Sequence, residues 1–371
     1  MARRNPLGAW ARLMGRNLAL AQRTVKLAGR QARAVTRAAA KAAAKTAAKA
    51  AAKPAARAAA PAKARRTVPG PTAPAASPPA AAPGSSRQGM AVGPAGARRY
   101  SVYCPAGVQR GERLPLIVML HGCQQDAAGF ARCTRMNALA RRERFIVLYP
   151  EQDRLANAQG CWNWFAQRNG RAAGEAALIL QAITQVCLRL PVDPARIAVA
   201  GLSAGASMAA LLATLAPQRF KALVMHSGVA PGSASTTLQA LSAMRGARSA
   251  AALEVSADTM AAHWPALLVI QGSADRVVAP SNGQAAVQAW ADAAGAHAAA
   301  PRRVQRGQRY PMTLTEHRVA GRSVATLALV DGLGHAWSGG AAGQDFADAR
   351  GPDASRMVWA FAQRQFRRTL A

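Results

Sequence analysis

Six short apolar runs recur between residues 114 and 330: Leu114–Leu120 (LPLIVML), Phe145–Tyr149, Ile197–Ala200, Ala222–Met225, Leu267–Ile270 and Val324–Val330. Glycine or polar turns punctuate many of their ends. Stretches of helical composition, such as Gly174–Leu190 and Ser207–Leu215, lie between them. An apolar run this short, without polar alternation, reads as a strand buried on both faces. Strands that alternate with helices in this way predict a mostly parallel sheet covered by helices on both sides. The expected fold class is therefore α/β, as one domain over residues 98–371.

Charge separates the rest of the chain from that domain. The 371 residues carry 48 Lys and Arg against 16 Asp and Glu, a formal net charge of +32. No acidic residue precedes Glu112, and residues 1–111 hold 21 of the basic ones. The remainder has 27 basic and 16 acidic residues, a net of +11. Residues 1–66 read as a basic arm, helical or disordered, and 67–97 as a Pro/Ala/Gly-rich linker. In 38–62, 17 of 25 positions are alanine, and Arg37, Lys41, Lys45, Lys49, Lys53 and Arg57 follow at four-residue steps. On a helix these make a slowly winding basic stripe with almost nothing to bury. Upstream, Trp10, Leu13, Met14, Leu18 and Val25 lie near helical spacing among arginines, a basic amphipathic pattern. The arm's charge suits an anionic surface, a granule or nucleic acid; its Ala-Lys repeat resembles histone-like tails. No uninterrupted apolar core of a signal peptide follows Arg3-Arg4, and no apolar run is long enough for a spanning helix.

The most informative run is Gly201-Leu202-Ser203-Ala204-Gly205, a G-x-S-x-G pattern between a strand and a helical stretch. Such a turn exposes a serine nucleophile and aims the next amide at the substrate oxygen. A serine nucleophile needs a base, and the base needs an acid to orient it. Of six histidines, His335 lies in a glycine-rich loop after the last expected strand. His226 directly follows a strand and reads as structural, with approach to the site as its alternative, His121 as a hydrogen-bonding scaffold, and His297 and His317 as surface residues. Asp275 follows the Leu267–Ile270 strand and is preferred over Asp292 and Asp331. The order Ser203, Asp275, His335 is that of α/β-hydrolases. The oxyanion donors are assigned to the amides of Cys123, in the loop after LPLIVML, and of Ala204. No CxxC or HExxH pattern occurs, so no metal or other cofactor is expected.

The motifs HGCQQ (121–125), YPEQ (149–152), CWNWF (161–165), GLSAGASMAA (201–210), PSNG (280–283), GHAWSGG (334–340) and DARGPDAS (348–355) occur in this order. Together they resemble the polyhydroxybutyrate depolymerase-type esterases, over about residues 98–365. That resemblance implies an α/β-hydrolase fold and a serine esterase acting on a short-chain polyhydroxyalkanoate. Feruloyl or acetylxylan esterase activity is the alternative within the same class; a granule- or nucleic-acid-binding protein is the alternative outside it. The resemblance also implies Ser203 as nucleophile, Asp275 as acid, His335 as base and a Cys123–Cys161 disulfide. The pairing of Cys104, Cys133 and Cys187 stays open. Trp162, Trp164 and Trp337 flank the motifs and are expected to wall an apolar substrate. A structural disulfide favours export, whereas the missing signal pattern favours a cytoplasmic, granule-associated protein. Oligomeric state is not readable.

Overall fold

The computed structural model describes residues 84–248 and 264–368, all within one compact unit, Ala80–Ala371. The basic arm, the linker up to residue 83 and His263 lie outside the described residues. Thirteen strands and seven α-helices are formed among them. The strands are β1 (Ser85–Gly93), β2 (Gly96–Cys104), β3 (Leu114–Leu120), β4 (Ile146–Pro150), β5 (Val192–Leu202), β6 (Ala222–His226), β7 (Ala266–Gly272), β8 (His297–Ala298), β9 (Arg302–Val304), β10 (Met312–Val319), β11 (Arg322–Val330), β12 (Trp337–Ser338) and β13 (Ala347–Asp348). The helices are α1 (Ala127–Thr134), α2 (Met136–Glu143), α3 (Arg171–Arg189), α4 (Ala204–Leu215), α5 (Thr237–Met244), α6 (Ser281–Ala293) and α7 (Ala354–Arg368).

The main sheet runs β1-β2-β4-β3-β5-β6-β7-β11-β10-β8, with β9 also on β10. Its six central strands, β4 to β11 in that order, pair in parallel. Antiparallel strands extend it at both ends. This is the α/β-hydrolase arrangement, and β3 shows why its strands read as unbroken apolar runs. Every residue of LPLIVML is buried. Leu116, Val118 and Leu120 enter one core beside residues of α3, α4 and α6. Ile117 and Met119 enter the opposite core beside residues of α1, α2 and α7. With helices on both faces, neither side of the strand requires polar residues.

Two expectations are corrected here. The linker does not extend to residue 97, because Ser85–Gly93 pairs with Gly96–Cys104 as an antiparallel hairpin. Most β1 side chains are exposed, so this edge strand carries no apolar run to reveal it. His317 is not a surface residue: it lies on β10, 8% exposed, with a buried Nδ1 that has no hydrogen-bond partner. No helix among the described residues is long and apolar enough to cross a membrane.

Candidate active site

Strand β5 ends at Leu202 and helix α4 starts at Ala204, which leaves Ser203 alone at the turn. Its backbone has φ 56° and ψ −121°, a conformation that a non-glycine residue adopts only under strain. Hydrogen bonds hold it there. Ser203 N–H donates to the His226 carbonyl at 2.8 Å, and the Ser203 carbonyl accepts from Ala206 N–H at 2.9 Å. The flanking glycines are required by close approach. A Cβ on Gly201 would strike the Gly205 backbone, and one on Gly205 would strike the Leu120 carbonyl at the end of β3. The G-x-S-x-G spacing therefore lets helix α4 start directly against two strands.

Asp275 and His335 meet at the same edge of the sheet, on the segments that follow β7 and β11. His335 Nδ1 lies 2.8 Å from Asp275 Oδ2. The other carboxylate oxygen accepts the amides of Val277 and Val278, both at 2.9 Å. Gln271 Nε2 adds a longer bond to Oδ2 at 3.3 Å. Burial pushes the Asp275 carboxyl up, but the His335 hydrogen bond and charge, with the two amides, outweigh it and hold the group below its ordinary value. The result is a carboxylate fixed against one imidazole nitrogen. The rival acids are engaged elsewhere: Asp331 pairs with Arg303 at 2.7 Å, and Asp292 accepts from Gln288 at 2.6 Å.

The amides of Cys123 and Ala204 are the expected oxyanion donors. Ala204 opens α4, where an amide has no intrahelical acceptor. Neighbouring amides of the Cys123 loop are already used: Gly122 N–H donates to Gln125 Oε1 and Gln124 N–H to the Gln159 carbonyl. This loop is fastened from beneath. His121 Nδ1 lies 2.8 Å from the Gly122 carbonyl, and its Nε2 accepts Gln152 N–H at 3.1 Å. Gln152 Nε2 donates in turn to Glu175 Oε2 at 2.9 Å. Glu175, only 2% exposed, also accepts both the backbone and side-chain N–H groups of Asn163 and pairs with buried Arg98 at 3.2 Å. The Cys123–Cys161 disulfide is present and joins the loop to the CWNWF segment.

Gln152, Asn163 and Glu175 had no role in the sequence reading. The first two stand inside the YPEQ and CWNWF motifs, which was a usable signal. Glu175 sits in a helix of ordinary composition and offered none. The expectation of tryptophan walls is corrected. Trp162 and Trp337 are fully buried, in different cores, and Trp164 is 7% exposed. Trp162 Nε1 donates to the His121 carbonyl and Trp337 Nε1 to Ser355 Oγ, both at 3.1 Å. They brace the loops from inside, because an indole buries most surface when its N–H also finds an acceptor. Cys104, Cys133 and Cys187 are free thiols, each shifted up by burial, Cys133 to about 11. Among the described residues no cluster of His, Cys, Asp and Glu is arranged to hold a metal.

Comparison with known proteins bears on the fold and the family. Poly(3-hydroxyalkanoate) depolymerase C of Paucimonas lemoignei is 31% identical over 184 residues, 45% of this chain and 42% of that protein. Probable acetylxylan esterase A of Aspergillus clavatus is 28% identical over 203 residues, 51% of this chain and 65% of its own. The chain thus matches less than two thirds of either relative's length. A solved acetyl xylan esterase from Aspergillus awamori shares the fold, with a TM-score of 0.57 at 20% identity, covering 75% of this chain and 100% of that one. The family model described as Esterase PHB depolymerase matches residues 98–309, more than half of the chain, and the protein therefore belongs to that esterase family.

Proposed function

We propose that this protein is a serine esterase that works through an acyl-enzyme. The observation that carries the reading is the Asp275–His335 hydrogen bond at the sheet edge where Ser203 occupies its strained turn. His335 takes the Ser203 proton as Oγ attacks the ester carbonyl. Asp275, ionised and held by two amides, keeps the imidazole tautomer that presents a basic nitrogen and stabilises the imidazolium once formed. The amides of Ala204 and Cys123 receive the oxyanion. His335 protonates the departing alcohol, and water repeats the sequence on the acyl-enzyme, releasing the acid and restoring Ser203. Hydrolysis of p-nitrophenyl butyrate by Ser203→Ala tests this. We expect at least a 1,000-fold loss of kcat with the fold intact, and near-normal activity would overturn the assignment.

The substrate we favour is a short-chain polyhydroxyalkanoate, supported by the motif set and by the Paucimonas lemoignei relative. Rates on amorphous polyhydroxybutyrate, acetylated xylan and methyl ferulate discriminate among the polyester, acetylxylan and feruloyl alternatives. The disulfide supports residence in an oxidising compartment, since such bonds persist there and are rare in reducing ones. For residues 1–83 we propose an electrostatic tether separate from catalysis, supported by their 17 Lys and Arg without any Asp or Glu.

A further inference from the structure

His226 has no step in the proposed reaction, yet it is fully buried among the residues that perform it. It is the last residue of β6 and pairs in register with Leu202, the residue before Ser203. Its main-chain carbonyl accepts Ser203 N–H at 2.8 Å. Its ring reaches the other side of the site: Nε2 accepts Ser338 N–H at 3.0 Å, three residues beyond His335. A backbone amide can only donate, so Nε2 carries no proton and Nδ1 carries it, 3.2 Å from Ser227 Oγ. The ring stacks on Trp337, with centroids 5.0 Å apart and planes at 27°.

The loop that carries His335 is thus pinned on both sides of it. Before His335, the Leu333 carbonyl accepts Ala274 N–H at 3.0 Å, which ties the loop to the segment bearing Asp275. After it, Ser338 is tied to His226, and through His226 to Ser203. The first pin sets the base against the acid. The second joins that loop to the strand pair around Ser203.

We propose that His226 is a positioning residue, whose ring locks the His335 loop to the strand pair that holds Ser203. This inference rests on the reading of Ser203 and His335 as nucleophile and base. Burial, and then the neighbouring His335, push the His226 imidazole down to about 3, with Asp275 opposing, so its acceptor nitrogen persists across the neutral range. A histidine that merely fills core volume would be replaceable by phenylalanine without effect on turnover.

The test uses the full chain and p-nitrophenyl butyrate, with Ser203→Ala as reference. His226→Phe keeps volume and stacking but removes the acceptor; His226→Gln places an amide oxygen within reach of Ser338 N–H. His226→Asn, polar but too short, stands in if the Phe variant does not fold. Folding is read from a cooperative thermal transition, and Ser203 reactivity from its rate of phosphonylation by a fluorophosphonate. The expected result for the acceptor-less variant is a loss of about 100-fold in kcat, the scale of an ångström-sized misplacement. KM stays within about twofold, phosphonylation slows in parallel, and His226→Gln recovers most of the loss. A folded Phe or Asn variant with wild-type kcat overturns the inference, as does a Gln variant that recovers nothing. If Ser203→Ala itself stays active, the esterase reading has failed instead, and the two failures are distinguishable.

Discussion

At Asp275 burial and hydrogen bonding act in opposite directions, and the second prevails. Asp275→Asn preserves size but removes the charge and can present an N–H to His335, which selects the wrong tautomer. A fall of about 1,000- to 10,000-fold in kcat is expected, with KM little changed, measured by steady-state kinetics. The sign of the shift also predicts stability. A carboxyl held low in the fold contributes stability above its unfolded value, and that contribution disappears as pH falls through the folded one. Glu175 is the other residue on which much depends, since Arg98, Gln152 and Asn163 all donate to it. Glu175→Leu leaves a buried guanidinium without its partner. A loss of about 3–5 kcal/mol is expected by denaturant titration. Ser203 and His335 were legible from local motifs, and Asp275 from its place directly after the Leu267–Ile270 strand. Glu175 was not, because its partners come from three distant segments and only packing assembles them.

The turn at Ser203 is the element whose sequence and geometry correspond most directly. Gly205→Ala drives a methyl into the Leu120 and His121 carbonyls. It is expected to cost about 1–3 kcal/mol, as overpacking does, and to displace Ser203. Lowered Tm together with lowered esterase activity would show both. The loop bearing Cys123 invites a different measurement. Its disulfide closes a sequence separation of 38 residues, for which chain entropy gives roughly 4 kcal/mol. Reduction should lower Tm, and Cys161→Ser should abolish the difference between reduced and oxidised protein. Strands buried on both faces, such as β3 and β4, were readable as apolar runs. Edge strand β1 and the paired strand β10 were not: most β1 side chains are exposed, and MTLTEHRV on β10 mixes apolar and polar residues.

For the whole molecule, buried histidines tie stability to pH. Burial pushes the His226 imidazole down to about 3 and lowers His121 as well, from an ordinary value of 6.5. Between those limits the unfolded chain binds more protons, so stability falls as pH drops from about 6.5 toward 3. Each such group contributes a slope of up to about 1.4 kcal/mol per pH unit. Thermal scans across this range should show the decline, and a shallower one in His226→Phe. If the tether reading holds, residues 84–371 hydrolyse a soluble ester as fast as the full chain. They should lose only the salt-sensitive binding to anionic vesicles or nucleic acid.

The sequence by itself determined the α/β class, the family and the residues of the proposed triad. Apolar periodicity and glycine spacing are local consequences of backbone geometry, and they survive as written patterns. Only the tertiary structure decided that Trp162 and Trp337 face inward, that Ser85–Gly93 joins the sheet, and that His226 bonds both Ser203 and the loop bearing His335. Those outcomes depend on which distant segments meet. Burial and hydrogen bonding between them are set by packing, and no local pattern records it.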